Sequence, residues 1–292
     1  MKMKKILSMA LVAATLISMT SAFAIEKGDA RAVMGADITA EQKTAVYKTF
    51  GIDEGSVAEL TVTNDEERKY LDGLVDESII GTKSISCVYI EVLGEGEGLD
   101  VSVSNINWCT QEMYANALVT AGISDAKLIV TSPVEGISGT AALTGVYKAY
   151  EDITGEQLDE IAKLAGTQEL VVTAELADQI GSYDAVVIVN ELKKVLAETV
   201  KMSDDEVKAQ IKTIAAENNI SVSDGQVEQL LSLCRSLEKL DPDQLKAKVE
   251  EMQDTVKKLA GAQEKLKEIT ASMQTFFENV GQFLSNLFSK VS

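Results

Sequence analysis

Ser138 lies in the segment GISGTAALTG, residues 136–145, between an apolar run at 127–131 and a helical pattern that starts near Val146. A strand, a small-residue loop and a helix in that order can expose a hydroxyl nucleophile or turn backbone amides toward an anion. Ser138 is therefore the candidate nucleophile, with Lys148 or another amine as its base. Ser138, Gly139, Thr140 and Ala141 are the candidate ligand-binding residues. The competing reading is a tight corner. Small side chains from 138 to 145 let the next helix lie close against its neighbours, and Ser138 or Thr140 caps it.

Composition removes much other chemistry. The chain of 292 residues contains no histidine, so neither Ser-His-Asp nor Cys-His catalysis in its usual form is available. Histidine-based zinc sites are excluded for the same reason, and three cysteines cannot supply four thiolates. There is no phosphate-binding GxxxxGK[ST] loop and no dinucleotide fingerprint that opens a helix. A carboxylate pair could hydrolyse a glycoside, but Trp108 is the one tryptophan available as a sugar platform. Glu95, Glu97 and Asp100, around the glycine-rich segment 94–98, are candidate calcium ligands, against a plain solvated turn. No cofactor is called for. The net charge of −19 repels nucleic acid and other polyanions. Cys87 and Cys109 are a candidate disulfide, against two small buried hydrophobes. Cys234, among Leu230, Leu231, Leu233 and Leu237, reads as core.

The elements that must position these residues fall in two kinds. Strand patterns cluster early, at 57–62, 84–93, 99–106 and 127–131, with Val88, Ile90 and Val92 alternating on one face. Helices are expected at 40–50, 65–74 and 110–121. The glycine-rich segment 94–98 reads as a hairpin loop between the second and third strands. The resulting β-α-β-β-α-β order is that of a ferredoxin-like sheet. After residue 139 the pattern is helical, including 183–189, whose apolar run continues into a helical repeat. Capping boxes are expected at Thr39, Thr63, Thr154, Ser203 and Ser223, each followed three residues later by Gln or Glu. Asp241-Pro242 marks one further helix start.

The fold class is thus α+β: a ferredoxin-like sheet domain over 25–138, a helical bundle over 139–240, and a heptad-patterned tail over 241–292. In the tail Leu245, Val249, Met252, Val256 and Leu259 step 4-3-4-3. Leu266, Ile269, Met273, Phe276, Val280, Phe283 and Leu287 continue the step after a break at Gly261. Drawn as one helix this would reach ~70 Å at ~1.5 Å per residue, so it should fold back at Gly261 or pair with another chain. Those apolar residues form the expected association face, for self-association or a protein partner. Four of the six phenylalanines fall within 276–288, which adds contact with a membrane surface as an alternative.

Residues 1–24 read as a signal peptide. Lys2, Lys4 and Lys5 precede an apolar stretch from Ile6 to Met19, and Ala22-Phe23-Ala24 is a cleavage site. The expectation is export, with no integral span after cleavage.

Three strings, TQEMYANALVTAG at 110–122, SGTAALTG at 138–145 and KAYE at 148–151, together resemble the YpuA-like family of exported Firmicute proteins, a domain of unknown function. The resemblance extends to about residue 240. It implies an extracytoplasmic place in a Gram-positive bacterium, secreted or associated with the cell envelope, and it carries over no catalytic residue. The reading that follows is a non-enzymatic binding, structural or adaptor protein of the envelope. The alternatives are a small-ligand or anion-binding module at the 136–145 loop, or an envelope hydrolase using Ser138 or a carboxylate pair.

Overall fold

The computed structural model describes residues 27–252 and Thr255. The expected signal peptide at 1–24, and the tail positions from Val256 onward, lie outside the described residues.

The architecture is α+β, built on a five-stranded mixed sheet. In chain order come β1 (Ala30–Gly35), α1 (Ala40–Phe50), β2 (Ala58–Val62), α2 (Asn64–Leu71), α3 (Glu77–Ile80), β3 (Cys87–Val92), β4 (Leu99–Ser104), α4 (Gln111–Thr120) and β5 (Ala126–Thr131). There follow α5 (Thr140–Thr154), α6 (Glu160–Ile180), α7 (Ser182–Lys194), α8 (Leu196–Thr199), α9 (Asp204–Glu217), α10 (Asp224–Leu237) and α11 (242–252). The run at 183–189 is helical, inside α7.

The strand order is β2-β1-β3-β5-β4, not that of a ferredoxin-like sheet. Two features make the difference. The first is β1, ARAVMG, a strand with almost no β-branched content to announce it. The second is that β5 lies between β3 and β4, antiparallel to the former and parallel to the latter. The glycine-rich segment 94–98 therefore does not close a hairpin. Burial explains both placements. β1 and β5 have no exposed residue and occupy interior positions, whereas β4 alternates Leu99 and Val101 with exposed Asp100 and Ser102, and β2 is mostly exposed. Strands with a wet face belong at the edges.

The sheet is covered on both faces. Val46, Tyr47 and Phe50 of α1 pack on Ala32, Met34, Cys87 and Tyr89. The other face, with Val33, Val88, Ile90, Leu128 and Val130, carries α4 and α5. One continuous core then runs through α6, α7, α9 and α10 to α11. Leu245, Val249 and Met252, the first members of the expected association face, are buried in this chain's own core.

Four of the five expected capping boxes form, at Thr39, Thr63, Ser203 and Ser223. Thr154 instead ends α5, its hydroxyl donating to Tyr150 O at 2.9 Å, and α6 is capped by Asp159. Asp241 caps α11 by accepting from the amides of Asp243 and Gln244. Cys87 and Cys109 are free thiols, in the packing on opposite faces of the sheet, so no bond joins them. Burial pushes their pKa values up, to about 11 and about 12, which keeps both protonated and unreactive. Cys234 is buried, as expected of a core residue.

The helical layer encloses a fully buried ion pair. Lys193 of α7 meets Glu169 of α6 at 2.5 Å, with neither side chain exposed. Thr120 of α4 donates to Glu169, and Lys193 also donates to Asn116 O at 3.2 Å. Burial pushes the Glu169 pKa up and the Lys193 pKa down, while their mutual attraction opposes both shifts. Among the described residues no helix is long and apolar enough to cross a membrane.

Candidate functional site

The residues past β4 and β5 run side by side. Asn107 N donates to Ile137 O, and Cys109 N donates to Ser138 O, extending the pairing beyond the sheet to the start of α5. Asn105, at φ 59°, turns the first of these segments and donates to Ser132 O. The chain then enters α5 through Gly139 at φ 95°. No other residue fits there: a Cβ would stand 2.5 Å from Tyr114 Oη and 2.7 Å from Ile106 Cγ2. Tyr114 Oη donates to Gly139 O at 2.6 Å and fixes the corner. At Gly145 a Cβ would sit 3.2 Å from Val33 and Val88 of the sheet, so the small residues of 136–145 do bring α5 close to its neighbours.

The same corner is one wall of a cleft of about 510 Å³. Ser138, Thr140 and Ala141 line it, so three of the four candidate ligand residues face one space. A second wall comes from α3 and the connection to β3, including Ile79, Lys83 and Ser86. Arg68 holds that wall. It donates to both Glu77 oxygens, at 3.1 and 2.8 Å, and to Gly81 O at 2.9 Å. Trp108 stands half-buried at the site, its Nε1 donating to Asp178 Oδ2 at 3.1 Å.

Glu67 of α2 is the residue that sequence reasoning missed. It lines the cleft yet is only 2 % exposed. Thr140 Oγ1 lies 2.6 Å from its Oε1, and Asn64 Nδ2 donates to its Oε2 at 3.5 Å. Burial raises its pKa to about 7 against the hydrogen bonds that lower it. The desolvation cost of the charged form outweighs those partners, and a carboxyl with such a shift in a cleft is a candidate functional group. A signal was present in the sequence: Glu67 precedes Leu71 by four residues and so occupies the apolar stripe of α2. It follows Asp65 and Glu66 directly, where a solvated acidic first turn is the ordinary reading.

Neither Ser138 nor Thr140 caps α5, which begins without a side-chain cap. Ser138 Oγ donates to Ile79 O at 3.2 Å and lies 3.3 Å from Thr140 Oγ1. Lys148 is not its base: its Nζ is committed to Thr61 O and Glu66, each at 2.7 Å. Glu95, Glu97 and Asp100 are not gathered with one another among the described residues. Glu97 pairs with Lys27, and among the described residues no three acids or thiols are gathered to hold a metal.

What this arrangement can do is hold a polar molecule. Hydroxyls of Ser78, Thr82, Ser86, Ser138 and Thr140 line the space, with one indole and an even mix of Lys83 and Asp178. Among the described residues no cationic cluster lines it to favour an anion, and a carboxyl of the chain itself stands at the start of α5.

Comparison with known proteins agrees with the resemblance carried by the 110–151 strings. The family described as Protein of unknown function (DUF1002) matches residues 34–259. The chain is 34 % identical over 292 residues to a Bacillus subtilis (strain 168) protein named "Uncharacterized protein YpuA", covering 98 % of this chain and 100 % of the relative. No solved structure matches. On both grounds the chain belongs to the DUF1002 family and is a YpuA-like protein.

Proposed function

We propose that this is an exported, extracytoplasmic binding protein whose cleft takes a small, uncharged, hydroxyl- or amide-bearing ligand, such as a sugar unit of envelope material. The observation that carries the reading is the convergence of Glu67, Ser138, Thr140 and Trp108, from three distant parts of the chain, on one cleft. A cleft of this size with a few convergent polar groups suits a small ligand, and an indole offers a flat apolar face to a sugar ring. The leader pattern at Lys2–Ala24 supports export. Among the described residues Ser138 Oγ pairs with Ile79 O and Thr140 Oγ1 and with no base, so binding is favoured over nucleophilic hydrolysis.

Trp108 is the protein's one tryptophan, which makes intrinsic fluorescence a direct reporter of the cleft. Titration with N-acetylglucosamine, glucose, inorganic phosphate and acetate should shift the emission for the uncharged sugars and leave it unchanged for the anions. Ser138→Ala should weaken sugar binding about tenfold, the value of one lost hydrogen bond. A response to the anions alone would overturn the reading.

The heptad pattern beyond Thr255 supports a second contact, self-association or a protein partner, while the 245–252 part of the pattern serves the core. Light scattering on the full mature chain and on one ending at Thr255 tests this. A larger particle is expected only for the former, and equal monomers would remove the tail's proposed role.

A further inference from the structure

We propose that Glu67 sets the ligand specificity of the cleft without touching the ligand: its protonation state fixes the direction of the Thr140–Ser138 hydroxyl chain, and so whether Ser138 offers an incoming group a hydrogen-bond acceptor or a donor. This rests on the binding reading above and deepens it.

The geometry carries the argument. Three oxygens stand in series, Glu67 Oε1 at 2.6 Å from Thr140 Oγ1, and Thr140 Oγ1 at 3.3 Å from Ser138 Oγ. Each hydroxyl has one proton to give. With Glu67 ionised, Thr140 must donate to the carboxylate, so its lone pairs face Ser138. Ser138 then spends its proton on Thr140 or on Ile79 O, and only its lone pairs remain for a ligand. The arrangement reverses when Glu67 is protonated. Asn64 Nδ2 is a donor and keeps Oε2 as an acceptor, so the added proton sits on Oε1 and is given to Thr140. Thr140 now donates to Ser138 and no longer accepts from it, so Ile79 O is the one remaining acceptor among the partners of Ser138, and a ligand carbonyl competes with it alone for the Ser138 proton.

The neighbouring groups leave Glu67 as the one that changes charge near neutrality. Burial raises its pKa to about 7, partly offset by Thr140, Asn64 and the charge of Arg68 on its own helix. Cys109 and Tyr114, from the next layer, are both pushed up by burial and stay neutral. On α5, Lys148 is bound to Glu66, and on α6, Lys163 is bound to Glu151 and Glu160. Lys83 and Asp178 are the remaining charges lining the cleft.

Two measurements on the full mature protein test the two halves separately. Without ligand, the Glu67 carboxyl carbon and the Ser138 and Thr140 Cβ carbons should titrate together in NMR, with one midpoint near 7. Glu67→Gln should abolish all three titrations. Thr140→Val should uncouple Ser138 while Glu67 still titrates, and Thr140→Ser should restore the coupling. Ser138 titrating unchanged in Thr140→Val, or not at all in the parent, would overturn the inference. With ligand, Trp108 fluorescence should show a donor-only probe, the N–H of pyrrole, binding about tenfold tighter at pH 8 than at pH 6. A carbonyl acceptor probe, N,N-dimethylacetamide, should show the opposite trend. Glu67→Gln places an amide donor toward Thr140 and should hold the pH 6 preference at every pH. Coupled titration without probe binding at any pH would sink the binding reading; binding with equal affinity at both pH values would sink the specificity role of Glu67.

Discussion

Replacing Lys193 by methionine should cost about 3–5 kcal/mol of folding stability near neutral pH, because it strands a buried carboxylate. Glu169 and Lys193 are both fully enclosed between α4, α6 and α7. The pair itself adds little net stability, since desolvation consumes most of its attraction. Its asymmetry matters more: one charge without the other has neither water nor a counter-ion. Lys193→Met should therefore shift the urea midpoint strongly and lower Tm by on the order of 10 °C. The loss should shrink as pH falls, because the stranded Glu169 is already pushed toward its neutral form and takes up a proton. The double replacement Glu169→Leu with Lys193→Met should regain most of the loss, short of complete recovery because Thr120 and Asn116 O lose a partner. A single Lys193→Met protein as stable as its parent at pH 8 would show that the pair is not closed off from water.

The second large effect is the pH dependence that Glu67 imposes on stability. Its pKa rises from 4.5 to about 7 on folding. The folded state therefore holds this proton more tightly than the unfolded chain. The contribution is fully present below pH 4.5 and is lost as pH rises through about 7. The span corresponds to about 3 kcal/mol, at about 1.4 kcal/mol per unit, a large share of a typical stability of about 5–15 kcal/mol. The sign is opposite to that of Glu66, one residue earlier, which Lys148 and the Thr63 cap hold below the ordinary range. Chemical denaturation of the parent and of Glu67→Gln from pH 4.5 to 8 isolates the Glu67 share as the difference between the two curves. The variant should gain on the parent steadily up to pH 7 and stay ahead beyond it. Parallel curves would mean that the carboxyl is hydrated in the folded protein.

Both effects come from charges inside the helical layer or at its seam with the sheet, and neither position is conspicuous in the sequence. Lys193 is one lysine of the pair Lys193-Lys194, and its neighbour makes an ordinary surface contact with Glu191. Glu169 lies in TQEL, with nothing local to distinguish it from the chain's other acids. What separates these residues from their neighbours is which face of the helix they occupy once three helices pack together.

The short-range signals fared differently. Thr39, Thr63, Ser203 and Ser223 start helices where the capping-box spacing places them, because that motif is closed by atoms within one helical turn. The alternation of Val88, Ile90 and Val92 does identify one face of β3. The helical reading of 183–189 holds because its period extends beyond the ambiguous apolar run. Thr154 shows the limit: the same motif is overruled where α5 ends on its first residue, and the next helix takes Asp159.

The chain's residues alone therefore determined most of its secondary structure, its acidity and the chemistries it lacks, since these depend on composition and on contacts a few positions apart. Strand order, the separation of Cys87 from Cys109, and the meeting of Glu67 with Ser138 and Thr140 were decided only by the tertiary structure. The physical reason is that each depends on partners far away along the chain, chosen by which surfaces must leave water together.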